Sequence, residues 1–274
     1  MATVVAAYYR LPNSKHPYEN YRTWITNFLM HVKGPIHMFT SFQEAPWIRE
    51  VRTRSGLGNF NLEILPFSEF PFQTPEWMDY WIESMKQDEF KHLHSPEQFA
   101  IWNSKTWLVM RAIKANTFGS TKFVWCDAGC WRDEWVAARC GPSWPLPAKI
   151  PSNQMLFLDI RDISWQRDAV RSGVNWKKID TRNAKENCIG GTIFAGSVAA
   201  WEEWAPLYYD TLREYKTEGW FAGDDQSVMM STDLRFLSNT PAGNMHVLAP
   251  QVDNYFHGHG DRWFSLQVFL NDEL

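Results

Sequence analysis

Three short stretches of the chain carry residues able to do chemistry. In Phe123 to Arg132, FVWCDAGCWR, an apolar run ends on Asp127 and is followed by small residues. Phe123, Val124 and Trp125 read as a strand buried on both faces, which puts Asp127 at its carboxyl end. Ligands gather there in open α/β sheets, and a carboxylate can hold a cation. The competing reading is an aspartate that only hydrogen-bonds the turn at Ala128 and Gly129. In Phe221 to Ser231, FAGDDQSVMMS, Asp224, Asp225 and Gln226 precede a short apolar helix. They offer two carboxylates and an amide to a substrate, or they are acidic residues that the helix dipole favours at a helix start. In Asn254 to Trp263, NYFHGHGDRW, His257 and His259 sit among glycines ahead of Arg262. Either histidine could complete a metal site, although a lone surface histidine is usually inert.

The elements that must position these groups follow from composition and spacing. Thr3 to Tyr9, TVVAAYY, has strand composition and breaks at Leu11-Pro12-Asn13. Tyr8, Tyr9, Arg10, Lys15 and His16 sit at that handover, rings for a base and cations for phosphate, or else an ordinary solvated loop. Helical spacing of Tyr21, Trp24, Ile25 and Phe28 predicts a helix over Tyr18 to Val32, and Gly34-Pro35 stops it before a strand at Ile36 to Thr40. This is a βαβ opening. Asn61 to Leu65 reads as a third strand, and Glu76 to Phe90 as a helix. Ser95-Pro96-Glu97-Gln98 is a strong helix start, with Ser as N-cap and Pro in the first turn, and predicts one helix to about Asn116. On it Lys105 lies about 80° from the centre of the buried stripe, flanking the core and able to turn its ammonium towards the strand ends. Met155 to Ile160 is another strand. Cys188 to Phe194, CIGGTIF, reads as a strand whose Gly190 and Gly191 let a backbone or a ligand come close. Ser197 then caps a helix that ends at Gly219.

With 274 residues the chain can bury a full core, and the absence of a linker, repeat or charge block favours one continuous α/β domain. The 16 Trp and 18 Phe are read mostly as core. A net charge of −4 offers no basic footprint for a nucleic-acid polymer, though a small anionic ligand fits. The four cysteines lack paired zinc spacing and are expected to be reduced and buried. Residues 3 to 9 are apolar, but Arg10 and Lys15 follow. Neither a signal-peptide core nor a transmembrane span is read, and a cytoplasmic protein is expected.

Five landmarks in order, TVVAAYY with Ser14 to His16, HSPEQFAIWNSK from His94 to Lys105, FVWCDAGCWR, CIGGTIFAG and GDDQ, resemble those of the HtrL/YibB family and, through it, the GT-A glycosyltransferases, over nearly the whole chain. A finer resemblance, to the glycogenin-like and bacterial galactosyltransferase-like enzymes, rests on Asp127, on Asp225-Gln226 and on His257 to Gly260 followed by Arg262. Here Gly129 stands where those enzymes have the second carboxylate of Asp-x-Asp, and the late motif lacks their Lys-Pro pair. The resemblance implies a single GT-A-like domain with a mixed, mostly parallel sheet flanked by helices. Residues 1–130 would form its nucleotide-binding half and residues 131–274 its acceptor and catalytic half.

The implied activity is transfer of a sugar from a nucleotide-diphosphate donor to a hydroxyl acceptor, a glycan. Asp127, His257 and His259 would hold Mn²⁺ or Mg²⁺, with the diphosphate and water completing a shell short of one carboxylate. Tyr8, Tyr9, Arg10, Lys15, Lys105, Arg132, Gly190, Gly191 and Arg262 would surround the donor. Asp225, with Asp224 and Gln226, would face the reacting sugar. The rival is a catalytically inactive sugar- or nucleotide-sugar-binding protein on the same fold, and a more distant one is a hydrolase built on Asp224 and Asp225.

Overall fold

The apolar runs assemble into one sheet. Its strands are β1 (Ala2–Tyr8), β2 (Ile36–Thr40), β3 (Phe60–Ile64), β4 (Lys122–Cys126), β5 (Met155–Asp159), β6 (Ile189–Ser197) and β7 (His246–Ala249), in the order β3-β2-β1-β4-β6-β5-β7. β6 runs antiparallel to both of its neighbours, and every other pairing is parallel. The computed structural model describes residues 1–181, 188–249 and 259–271. The mixed, mostly parallel sheet of the α/β expectation is therefore what the chain forms. β7, four residues long, has no counterpart in the sequence reading.

The helices are α1 (Tyr18–His31), α2 (Ala45–Arg54), α3 (Pro75–Gln87), α4 (Pro96–Asn103), α5 (Lys105–Ala115), α6 (Glu134–Cys140), α7 (Ser164–Arg171), α8 (Val198–Glu218), α9 (Asp225–Asn239) and α10 (Leu266–Phe269). Successive strand residues point to opposite faces, so each strand feeds two cores. Val4, Ala6, Val124 and Leu156 pack under α1, α2, α6 and α10, whereas Val5, Phe123, Trp125 and Phe157 pack under α3, α4, α5, α8 and α9. Most of the aromatic load is core: Trp81, Trp125, Trp131, Trp144, Trp201 and Trp204 are all fully buried. The four cysteines are free and buried. Among the described residues no helix is long and apolar enough to cross a membrane.

Two caps read from the sequence are formed. The Ser95 hydroxyl accepts from Gln98 N at the start of α4, and the Ser197 hydroxyl accepts from Ala200 N at the start of α8, which ends on Gly219 at φ +66°. The single helix expected from Ser95 to about Asn116 is instead two, α4 and α5, hinged at Ser104. Polar side chains there compete for helix carbonyls. The Ser104 hydroxyl donates to Ala100 O (2.7 Å), and the Asn103 amide donates to Phe99 O (3.0 Å) and Ala222 O (2.9 Å). Lys105 thus opens a helix instead of flanking the stripe of a longer one, and it is 4% exposed. The helix after GDDQ is not short: α9 spans 15 residues and most of it is buried.

The chain leaves β1 towards β2 on one side and later returns to place β4 on the other. That switch opens a crevice beyond the carboxyl ends of β1 and β4. Because β6 is reversed, its first residues, Ile189 to Gly191, arrive at the same end, and Asp127 N donates to Thr192 O (2.8 Å).

Candidate functional site

A cavity of about 1180 Å³ fills this crevice. At its floor the ammonium of Lys105 is held by three groups from three elements. It donates to Gly191 O at 2.8 Å and lies 3.2 Å from Asp127 Oδ1 and 2.9 Å from Asp225 Oδ2. Asp127 also accepts from the Trp125 indole (2.8 Å), and its side chain makes no bond to the turn that follows. The turn-binding reading of Asp127 is thus set aside. Gly191 is small for a stated reason: a Cβ there would lie 2.8 Å from Asp225 Oδ1, so the close approach expected of CIGG is that of a carboxylate.

Two negative charges share one ammonium in a buried place, and their protonation reflects it. Burial pushes Asp225 up, Lys105 pulls it down and Asp127 raises it again, leaving its pKa at about 6. Burial opposes the charge on Lys105, but Asp127 and Asp225 outweigh it and hold the ammonium above its ordinary value. Asp224 lines the cavity too, yet its Oδ1 accepts from Ser227 N (2.8 Å) and caps α9. The capping bond weighed in the sequence is therefore formed. Gln226 lines the cavity and donates to Ile189 O (2.5 Å), tying the start of α9 to β6.

One wall is cationic and aromatic. The Arg10 guanidinium lies 4.1 Å from the Tyr18 ring centroid, and that of Arg132 lies 4.6 Å from Trp24 and 4.9 Å from Phe264. Lys15, His16, Tyr8 and Tyr21 complete it. Burial, Arg132 and Lys15 hold His16 below its usual pKa, keeping it neutral beside those cations. Tyr9 lines the cavity as well, but its hydroxyl is spent on Leu65 O (2.9 Å) and its ring packs against Phe67 and Phe70.

The opposite wall was not anticipated as a site. There His94 Nδ1 meets Asp88 Oδ2 at 2.7 Å, the His94 ring stands edge-on to Trp102, and Phe90, Gln98 and Phe221 line the space beside them. The helical spacing that includes Tyr21 and Trp24 also sets them beside the crevice, and Trp102 borders it from α4. The helix start at Ser95, directly after His94, was the available signal.

Other expected members lie elsewhere. Gly190 packs on β5, where a Cβ would meet Leu158 Cβ at 3.0 Å, and it does not line the cavity. Arg262 is exposed and also absent from the lining, although its neighbours Asp261 and Trp263 belong to it. His259 Nδ1 pairs with Asp133 Oδ2 (3.0 Å) and its ring stacks on Trp135, and it does not line the cavity. His257, with much of its motif, lies outside the described residues.

Among the described residues, those present do not fit the divalent cation that the resemblance implies. Of its expected ligands, Asp127 faces an ammonium and His259 is paired with Asp133, Gly129 supplies no oxygen, and no group of three or more described His, Cys, Asp or Glu could hold a metal ion.

No protein-family model and no curated protein matches the chain. Among solved structures it is similar to mouse xyloside xylosyltransferase 1 in its apo form. The identity is 10%, all of this chain and 95% of that one are covered, and the TM-score is 0.47, an overlap too loose to transfer substrate or activity.

Proposed function

We propose that the chain is a GT-A-like glycosyltransferase that moves a sugar from a nucleotide-diphosphate donor to a hydroxyl of a glycan acceptor. The observation that carries this reading is the pairing, in one cavity at the β1/β4 switch, of a cation-and-ring wall with two carboxylates, Asp225 buried and Asp127 partly exposed, that share a buried ammonium. A nucleoside diphosphate needs both features of the wall: Arg10, Lys15 and Arg132 for its phosphate oxygens, and the Tyr18, Tyr21 and Trp24 rings for its base. As the bond from the anomeric carbon to the diphosphate breaks, its electrons go to the leaving oxygen. Positive character appears at the carbon that the acceptor oxygen attacks. Asp225, ionised above pH about 6, would stabilise that charge, which is absent from the ground state. The wall of Trp102, Phe90, Phe221 and His94 then receives the acceptor, its rings against sugar faces. Membership of the HtrL/YibB family is the finer form of this proposal and rests on the sequence landmarks, each of which supplies a residue that lines the cavity: Tyr8, Lys105, Asp127, Gly191 and Asp225.

Calorimetric titration with nucleoside diphosphates and nucleotide sugars tests the reading. At least one should bind, and Arg132→Ala should weaken it about tenfold, the worth of one charge-assisted contact. Binding of none would contradict the proposal. Binding with no donor turnover would favour an inactive binding protein on the same fold.

A further inference from the structure

The misfit of a divalent ion has a cause in this chain's own residues. We propose that the ammonium of Lys105 is itself the cation of the site, occupying the position between Asp127 and Asp225 where a metal would have to sit, so that a nucleoside diphosphate binds here without one. The inference rests on the nucleotide-sugar reading for its ligand, but not for its claim about the cation.

The geometry is that of a filled site. Lys105 Nζ touches oxygens from β4's end, β6 and α9: Asp127 Oδ1 at 3.2 Å and Oδ2 at 3.3 Å, Gly191 O at 2.8 Å and Asp225 Oδ2 at 2.9 Å. These are ammonium distances, whereas Mg²⁺ needs oxygens at about 2.0–2.1 Å. A divalent ion reaching the same two carboxylates would press against the ammonium, at a Coulombic cost that grows in a place so poorly solvated. Nor is Lys105 free to leave, being 4% exposed and fixed as the first residue of α5 by the hinge at Ser104.

The neighbouring positions agree. Gly129 stands where a second ligand would project, and a Cβ there would face the rings of Tyr21 at 3.4 Å and Trp24 at 3.5 Å, an aromatic wall with no oxygen. His259 is committed to Asp133. The charge that a metal would bring to the diphosphate is present instead in Arg10, Lys15 and Arg132 along the same cavity.

Two measurements on the whole chain decide it. The electron paramagnetic resonance signal of Mn²⁺ alone should remain that of the free ion in wild type, while Lys105→Ala, which vacates the position, should take up one Mn²⁺ per chain and gain thermal stability from it. The Kd for UDP or GDP should differ less than twofold between EDTA and Mn²⁺ in wild type. Stoichiometric Mn²⁺ uptake by wild type that is lost in Asp127→Asn would overturn the proposal, as would a tenfold weaker Kd in EDTA. Failure of Lys105→Ala to bind Mn²⁺ would show that the carboxylates do not frame a cation position. If the variant does not fold, the wild-type resonance titration decides alone. If neither nucleotide binds, the glycosyltransferase reading falls while the Mn²⁺ titrations still judge the cation.

Discussion

Helix α9 carries two buried aspartates, and they live in opposite electrostatic surroundings. Asp225, its first residue, faces the cavity and shares one ammonium with Asp127. Asp233, eight residues on and about 12 Å along the axis, is sealed from solvent between His246 Nδ1 at 2.9 Å and Arg167 Nε at 3.1 Å. Burial raises both carboxyls, but His246 and Arg167 outweigh it at Asp233 and hold that group below its ordinary value, whereas Asp225 stays at about 6. A carboxylate with more compensation than it needs serves the fold. One with less, beside a cavity, holds negative charge ready for a ligand. The same helix thus has a fully compensated carboxylate in its middle and an under-compensated one at its start, beside the cavity.

Substitutions should separate the two. Asp225→Asn is expected to lower kcat by about 10³-fold with little change in KM or melting temperature, since the charge it removes acts only as the transition state forms. Asp233→Asn should do the reverse, costing about 3 kcal/mol by leaving Arg167 uncompensated in a buried place and lowering the melting temperature by on the order of 10 °C. Turnover per folded molecule should be unchanged. A loss of activity at Asp233 equal to that at Asp225 would erase the contrast.

Acid sharpens it further. The folded state holds the Asp225 proton more tightly than the unfolded chain does, so that group's contribution to stability declines as pH rises from about 4 to 6 and is level above. Asp233 has the opposite sign: its contribution is complete above the unfolded carboxyl pKa and is lost as pH falls below it. Unfolding followed against pH should therefore lose its slope between about 4 and 6 in Asp225→Asn alone. Turnover should fall about tenfold per unit below pH about 6 as Asp225 takes up its proton. The smallest effect belongs to Asp224→Asn. Asn caps a helix nearly as well as Asp, so stability should move by less than about 0.5 kcal/mol, and a large loss of turnover there would break the assignment of Asp225 as the reacting carboxylate.

What was legible in the sequence was whatever a local pattern decides. The apolar run to Cys126 set β4 and hence Asp127, Ser95 and Ser197 set two helix starts, and GDDQ announced α9. The rest depends on contacts between distant segments. Lys105 looked like a flanking residue because helix phase was carried through Ser104, where a serine back-bond and the reach of Asn103 to Ala222 break it. Gly191 does line the cavity, but only the fold reveals that the Asp225 carboxylate of α9 takes the space where its Cβ would be. Gly190 and Arg262 matched a motif but do not line the cavity. Asp88 and His94 meet across a turn that no periodicity marks.

The central claim is that Asp225 acts on a donor sugar held in this cavity, and slow donor hydrolysis tests it most directly. Wild type, Asp225→Asn and Asp224→Asn would be incubated with a panel of nucleotide sugars, and the released nucleoside diphosphate quantified by chromatography. The expected result is release from at least one donor by wild type, close to that rate with Asp224→Asn and about 10³-fold less with Asp225→Asn. Release from no donor, or equal rates in all three proteins, would contradict the account.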